Sequence, residues 1–206
     1  MDLYEYMLDK FGTNEPISVN DIKYGNYSRS WIDKELSRLC ENQQIVRFER
    51  GIYYIPKQTP FGRSILNPQK MIEYKYIKKS GNITGFYTGL TALNMFGLSA
   101  QVPNVTEICT NSETSKLRHV KVGNINVMLR CTRTNVNTEN VNVISFLELM
   151  SGVSVDFFDD EKRNILCDRI KNQNINRRQI SEYAPFFPDK TMRNLIESEI
   201  IYYVAQ

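Results

Sequence analysis

The stretch Ser28–Pro56, which reads SRSWIDKELSRLCENQQIVRFERGIYYIP, decides the fold of the first part of the chain. Its first half places apolar residues at helical spacing, and these are Ile32, Leu36, Leu39 and Cys40. Ser30 and Asp33 stand at the spacing of a capping box, which predicts a helix that begins near Ser28 to Ser30. The second half predicts two strands, Ile45–Phe48 and Ile52–Ile55, joined by a tight turn. The stretch therefore predicts a helix followed by a β-hairpin.

Two shorter helices are predicted upstream of this stretch. The apolar stripe of the first helix consists of Leu3, Met7 and Phe11. Gly12 supplies a helix stop. Ser18 and Asp21 again have capping-box spacing, which predicts a second, short helix. Three helices closed by a basic hairpin are typical of a winged helix-turn-helix, so residues 1–58 are predicted to form one such domain.

The outward face of the third predicted helix suits DNA, because the last helix of a helix-turn-helix lies in the major groove. This face and the hairpin carry short polar and basic side chains that reach phosphates and guanine edges. The candidate DNA-binding residues are Arg29, Ser30, Lys34, Ser37, Arg38, Arg47 and Arg50. A solvated surface and a protein-binding winged helix remain alternatives. We favour DNA because the helix and the hairpin are basic together.

Length and charge limit the function classes. A chain of 206 residues has room for a second domain. Its formal net charge is +3, so DNA binding would depend on a local patch and not on bulk charge. We find neither an apolar run of about 20 residues nor a signal peptide, which predicts a cytoplasmic protein with no membrane partner.

The sequence contains no recognisable catalytic motif. It has no phosphate-binding loop, no nucleophile elbow and no HExxH zinc motif, so we predict no enzyme and no cofactor. His119 is the single histidine. The four cysteines form no CxxC pair and are expected to be small buried residues; they are Cys40, Cys109, Cys131 and Cys167. We therefore predict no zinc site built from cysteine and histidine ligands.

One cluster of carboxylates has two interpretations. Its members are Asp156, Asp159, Asp160 and Glu161. Their oxygens are suitable ligands for Mg²⁺. Acidic groups in the first turn of a helix also stabilise it by offsetting the positive end of its dipole. We favour this second interpretation, with a helix that begins near Asp159.

The remaining residues, 59–206, predict an α+β domain with a helical C-terminal tail. Thr59–Arg63 is expected to be an irregular connector at the domain boundary. Predicted helices cover residues 68–79, 88–96, 145–150, 159–171, 176–183 and 189–201, of which 88–96 is expected to be almost wholly buried. Predicted strands are Thr106–Thr110, Arg118–Val122, Ile125–Cys131 and Val141–Ile144. Aromatic residues near the C-terminus are expected to pack and not to stack on bases; they are Phe186, Phe187, Tyr202 and Tyr203.

Several short motifs follow one another in a characteristic order along the chain. They are Gly51–Pro56 (GIYYIP), Pro68, Thr84-Gly85 before Ala92-Leu93, Phe96–Leu98 (FGL), Gln101–Pro103 (QVP) and Thr110-Asn111. This order resembles the AbiEi-type antitoxins of bacterial toxin-antitoxin systems, which act in abortive infection, a form of phage defence. The resemblance covers about residues 1–151.

The resemblance implies a winged helix that binds and represses its own promoter, followed by an antitoxin domain that counteracts a nucleotidyltransferase toxin. A nucleotidyltransferase motif, Gly-Ser followed by spaced aspartates, is absent, so this chain is not expected to be the toxin. The resemblance places the toxin-neutralising surface around Lys75, Lys78, Lys79, Tyr87 and Gln101. The alternative is a winged-helix transcriptional regulator with a C-terminal ligand-sensing or dimerisation domain and no toxin partner.

Overall fold

The fold is α+β, as the sequence predicts. A computed structural model describes residues 1–79 and 81–204. The α-helices in these ranges are α1 Leu3–Phe11, α2 Arg29–Glu41, α3 Pro68–Ile72, α4 Gly89–Met95, α5 Val141–Gly152, α6 Asp160–Asn172, α7 Arg177–Tyr183 and α8 Asp189–Glu197. The strands are β1 Ile17–Ser18, β2 Val46–Glu49, β3 Ile52–Tyr54, β4 Gln58–Thr59, β5 Gly62–Arg63, β6 Lys78–Lys79, β7 Asn82–Ile83, β8 Gly85–Tyr87, β9 Thr106–Thr110, β10 Arg118–Val122 and β11 Ile125–Cys131.

The chain divides into two compact units, Met1–Tyr74 and Lys75–Gln206. The division lies later in the chain than residue 58, the predicted end of the first domain. The expected irregular connector over Thr59–Arg63 is wrong, because β4 and β5 pair as an antiparallel hairpin. Thr59 Oγ1 donates to the Gly62 carbonyl at 2.7 Å, which stabilises the turn.

The first unit is built on α1, α2 and a small sheet. Asp2 and Glu5 form a capping box at the start of α1, and Gly12 ends the helix at φ +74°, as predicted. The predicted second helix is wrong: residues 19–21 form a single 3₁₀ turn. Ser18 Oγ caps this turn by accepting from the Asn20 amide at 3.2 Å.

A three-stranded antiparallel sheet closes the first unit, with the order β1-β3-β2. The predicted hairpin is confirmed, since β2 pairs with β3 through a register shift between Arg47 and Glu49. The core of this unit is formed by side chains from α1, α2, the sheet and the residues that flank its strands, among them Leu3, Met7, Ile17, Ile32, Leu36, Leu39, Ile45 and Ile55. The helices and the sheet thus share one apolar core.

The second unit contains a four-stranded sheet with the order β10-β11-β9-β8. The predicted β10–β11 hairpin at Gly123-Asn124 is confirmed. β9 lies parallel to β11 and antiparallel to β8, which brings distant parts of the chain together.

The helices of the second unit form its main core around α5. The predicted strand Val141–Ile144 is wrong, because these residues are the first turn of α5. An apolar run does not distinguish a buried strand from a buried helix, and α5 is apolar on most of its surface. Its buried residues include Val143, Ile144, Phe146, Leu147 and Met150.

Three other predicted helices differ from the structure. The helix expected over residues 189–201 ends at Glu197 and is followed by a 3₁₀ helix over Ile200–Tyr203. The helix expected over residues 68–79 ends at Ile72, continues as a π-helical turn over Glu73–Ile77 and is followed by β6. α4 is shorter than predicted, and Met95 at its end is 58% exposed, so the helix is only partly buried. No α-helix in the described ranges combines the length and the apolar character that a membrane span requires.

Candidate nucleic-acid interface

The helix α2 turns one face to the core and the other to solvent. Ser28, and not Ser30 as predicted, caps it: Ser28 Oγ accepts from the Trp31 amide at 3.3 Å. The predicted stripe of Ile32, Leu36 and Leu39 is buried. The predicted DNA-facing residues of this helix are all exposed; they are Arg29, Ser30, Lys34, Ser37 and Arg38.

Both arginines of this face are already paired with carboxylates of the same helix. Arg29 Nε lies 3.2 Å from Asp33 Oδ1, and the Arg29 Nη1 donates to Asn20 Oδ1 at 2.8 Å. Arg38 Nε donates to Glu35 at 3.1 Å, and this hydrogen bond raises the pKa of Arg38. Exposed pairs of this kind are weak, so phosphates can displace the carboxylates at small cost.

Lys34 differs from the two arginines of α2 in that its charge is not paired with a carboxylate of the described residues. It lies one turn from Arg38 on the exposed face, and it forms no ion pair with any residue in 1–79 or 81–204. Ser37 is also exposed, but its hydroxyl donates to the Asp33 carbonyl at 3.0 Å. The structure therefore makes Lys34 the first residue of this helix to test against DNA.

The β2–β3 hairpin presents two exposed arginines. Gly51 adopts φ +77° in the turn, a conformation that glycine reaches without strain. Arg47 Nε donates to the Glu49 carbonyl at 3.4 Å, whereas Arg50 forms no ion pair within the described part of the chain. Arg50 is thus the hairpin's counterpart of Lys34.

An aromatic stack at the start of α2 was not predicted. The rings of Tyr27 and Trp31 lie 4.0 Å apart, and Tyr24 stacks on Tyr27 at 5.3 Å. Burial raises the pKa of Tyr24, whose hydroxyl donates to the Met1 carbonyl at 2.6 Å. Trp31 is half-buried and packs against the apolar core of the first unit. The i, i+4 spacing of Tyr27 and Trp31 was the available sequence signal for their contact.

A family profile matches residues 17–175, which is most of the chain. The chain belongs to this family of unknown function, DUF6088. No curated protein matches it. The matched range of this DUF6088 protein contains α2, the β2–β3 hairpin and the whole four-stranded sheet, so both units contribute to the family's common sequence.

The β4–β5 hairpin of this DUF6088 protein was also missed by sequence reasoning. Phe61 at its tip is fully exposed, and Ile65 just beyond it is 84% exposed. Arg63 donates to the carbonyl and to the side-chain oxygen of Gln43, at 2.8 and 2.9 Å. Gln43 lies two residues beyond the end of α2, so the second hairpin is tied to the end of that helix.

The residues proposed for toxin neutralisation lie on four different elements of the DUF6088 chain. Lys75 is in the π-helical turn, with Nζ 5.5 Å from the Tyr76 ring centre. Lys78 and Lys79 are exposed neighbours on β6, where successive side chains point to opposite faces. Tyr87 is half-buried on β8, and Gln101 is exposed in the loop after α4. These positions do not define a single shared element.

The acidic cluster acts at a helix start. Asp159 Oδ1 accepts from the Lys162 amide at 2.9 Å, which caps α6, and the Asp159 carboxylate lies 2.5 Å from Lys162 Nζ. The side-chain and backbone hydrogen bonds from Lys162 lower the pKa of Asp159. The predicted helix start is confirmed. In the part of the chain that the structure describes, no three His, Cys, Asp or Glu side chains are grouped to hold a metal ion.

Proposed function

We propose that this DUF6088 protein is a DNA-binding antitoxin. Its first unit acts as a winged helix-turn-helix that binds its own promoter, and its second unit counteracts a nucleotidyltransferase toxin. The observation that carries the DNA-binding half is the exposed basic face of α2, followed directly by a hairpin with Arg47 and Arg50 exposed.

The order of elements in the first unit supports a winged helix. α1, a 3₁₀ turn and α2 precede the β2–β3 hairpin, and β1 completes a sheet with the order β1-β3-β2. In this interpretation α2 is the recognition helix and the turn at Arg50-Gly51 is the tip of the wing. Lys34 and Arg50 then contact phosphates or base edges, and Ser30 and Ser37 allow close approach.

The antitoxin half is supported by the resemblance to AbiEi-type antitoxins, whose shared motifs have structural roles in this chain. Gly85 lies where a side chain has no room. In the FGL motif, Gly97 adopts φ +73°, and the amide of buried Leu98 donates to the Leu93 carbonyl at 2.8 Å. This is a Schellman-type helix stop. The motifs therefore support a shared fold more directly than a shared activity.

DNA binding can be tested by fluorescence anisotropy with the duplex upstream of the protein's own gene and a shuffled duplex of equal length. We expect tighter binding to the native duplex. Lys34→Ala and Arg50→Ala should each weaken binding several-fold, because each removes a charge-assisted contact. Lys190→Ala, an exposed lysine in the first turn of α8, is the matched control and should leave affinity unchanged. Wild-type affinity in both test variants would contradict the assignment of this face to DNA.

Antitoxin activity can be tested by expressing the neighbouring open reading frame with and without this protein. We expect growth arrest that the protein relieves. A Lys34→Ala, Arg50→Ala double variant supplied from an unrelated promoter should still relieve it, since neutralisation is assigned to the other unit. A harmless neighbour, with DNA binding intact, would favour the alternative of a transcriptional regulator without a toxin partner.

A further inference from the structure

A cleft of about 460 Å³ opens in the second unit at the end of β11. Its walls include three cations, one carboxylate, one aromatic ring and one hydroxyl, from Lys116, Arg130, Arg133, Glu148, Phe186 and Thr132. This volume lies in the range of small-molecule sites, which typically combine apolar area with a few convergent polar groups. The cleft uses none of the residues assigned to DNA or toxin binding.

Each arginine in the cleft is oriented by one carboxylate and keeps donors for a ligand. Arg130 Nη2 donates to Glu107 Oε2 at 3.2 Å, while its buried Nε has no hydrogen-bond partner in residues 1–79 and 81–204. Arg133 Nε donates to Glu148 Oε2 at 2.8 Å. A guanidinium has five N–H donors, so both groups can still bind an anion.

The cleft and its supporting residues have an excess of positive charge. Lys116 is exposed and forms no ion pair with a described residue. With Arg130 and Arg133 it makes three cations against the two carboxylates, Glu107 and Glu148. Burial raises the pKa of the Cys109 thiol in the cleft to about 12, so at neutral pH this thiol is protonated and does not repel an anion.

An aromatic ring stands beside these cations. Phe186 is 50% exposed and lines the cleft, whereas its neighbour Phe187 is buried and packs under the Arg133 guanidinium, 5.4 Å from ring centre to Cζ. Phe187 packs as expected, whereas Phe186 contacts the Tyr183 ring on one side and leaves half of its surface exposed. An exposed ring adjoining an anion site is suited to a ligand with a flat heterocycle and a phosphate, because bases stack on aromatic faces.

We propose that this cleft binds a nucleoside phosphate, with the phosphate at Lys116, Arg130 and Arg133 and the base against Phe186. This inference is independent of the proposed DNA-binding function. The Phe186 ring stacks on the base. The two guanidinium groups, each oriented by a carboxylate, bind the phosphate. A nucleoside alone would lack the charge contacts, and an inorganic polyphosphate would lack the stacking.

The test is calorimetric titration of the full chain with ATP, adenosine and inorganic tripolyphosphate. We expect ATP to bind with a dissociation constant below about 1 mM and more tightly than either fragment. No ATP binding up to that concentration would overturn the proposal. Equal affinity for ATP and tripolyphosphate would also overturn it, because the base would then add nothing.

Two exposed residues provide variants that leave the fold intact. Lys116→Ala should weaken ATP binding about tenfold, and Phe186→Ala should weaken ATP but not tripolyphosphate binding. The matched controls are Lys121→Ala on β10 and Tyr202→Ala, which are also at exposed positions but do not line the cleft. Equal losses in a variant and its control would overturn the assignment. So would tight binding of a hexaglutamate peptide that is sensitive to Lys116→Ala while ATP does not bind, since the cleft would then recognise an acidic protein segment.

Discussion

At the scale of single residues, Gly85 shows how closely the backbone packs in the second unit. A Cβ at this position would lie 2.2 Å from the Tyr76 carbonyl oxygen and 2.6 Å from the Cys109 carbonyl oxygen. Both atoms belong to the backbone, so they cannot move aside as a flexible side chain would. The glycine is therefore required by contact and not by its own dihedral angles.

We predict that Gly85→Ala lowers the free energy of unfolding by about 1–3 kcal/mol, the usual cost of overpacking. Urea denaturation followed by circular dichroism measures this. Gly152→Ala is the matched control, because a Cβ there meets nothing within 4 Å. We expect Gly152→Ala to be neutral or slightly stabilising. Equal stability of the two variants would show that β8 shifts to accommodate a methyl group.

Tyr74 makes the stability of the first unit depend on pH in the alkaline range. Burial, together with a hydrogen bond to the Asp21 carboxylate, raises the pKa of Tyr74 from 10.0 to about 12. In the unfolded chain Tyr74 ionises with its ordinary pKa of 10.0. The stabilisation is therefore complete below pH 10 and is lost as the pH rises toward 12. The melting temperature of the wild type should therefore fall over this range.

Tyr74→Phe removes this titration, and we predict a smaller decrease in melting temperature between pH 9 and 11 than in the wild type. Differential scanning fluorimetry at several pH values measures it. Tyr202→Phe, at an exposed tyrosine, serves as the control and should behave as the wild type. Parallel curves for Tyr74→Phe and the wild type would refute the role assigned to Tyr74.

At the scale of helices and strands, capping at Asp159 accounts for the acidic cluster. Asp159→Ala should lower the melting temperature, because it removes the acceptor of the Lys162 amide at the start of α6. Since the folded-state pKa of Asp159 is lowered, this stabilisation is present above its usual pKa and decreases as the pH falls through the folded value. Glu161→Ala, in the same turn, is the control and should have less effect. A Mg²⁺-dependent stabilisation of the wild type that Asp159→Ala abolishes would instead favour the metal interpretation.

Local sequence signals predicted the elements that local forces determine. An apolar stripe and a glycine stop predicted α1, and a Gly-Asn turn predicted the β10–β11 hairpin; both elements are confirmed. Val141–Ile144 was assigned wrongly, because a short apolar β-branched run fits a buried helix as well as a strand. The parallel pairing of β9 with β11 depends on contacts that no local pattern encodes.

The two candidate sites also differ in whether local sequence patterns reveal them or long-range contacts create them. The exposed residues of α2 follow from helical periodicity, so the sequence identified them, but it did not reveal that Asp33 and Glu35 pair with Arg29 and Arg38. The cleft was missed because Lys116, Arg130, Glu148 and Phe186 are distant in sequence and come together only through the sheet and α5.

At the scale of the whole molecule, the net charge is small and the positive charge is concentrated in local patches. The formal net charge of +3 is too small for general attraction to DNA, so the DNA binding that we propose would depend on the few cations of the first unit. Each unit has its own apolar core, one around α1 and α2 and the other around α5. Substitutions that change surface charge in one unit are therefore not expected to disturb the core of the other.

This distribution of charge predicts a modest salt dependence of DNA binding. If Lys34, Arg47 and Arg50 neutralise about three phosphates, the logarithm of the association constant should fall with the logarithm of salt concentration with a slope of about −3. Arg50→Ala should reduce the steepness by about 1, whereas Lys190→Ala should not change it. Anisotropy titrations at several salt concentrations measure both slopes. A wild-type slope steeper than about −6 would require twice as many phosphate contacts, which would mean that two copies of the chain bind one site or that cations beyond α2 and its hairpin take part.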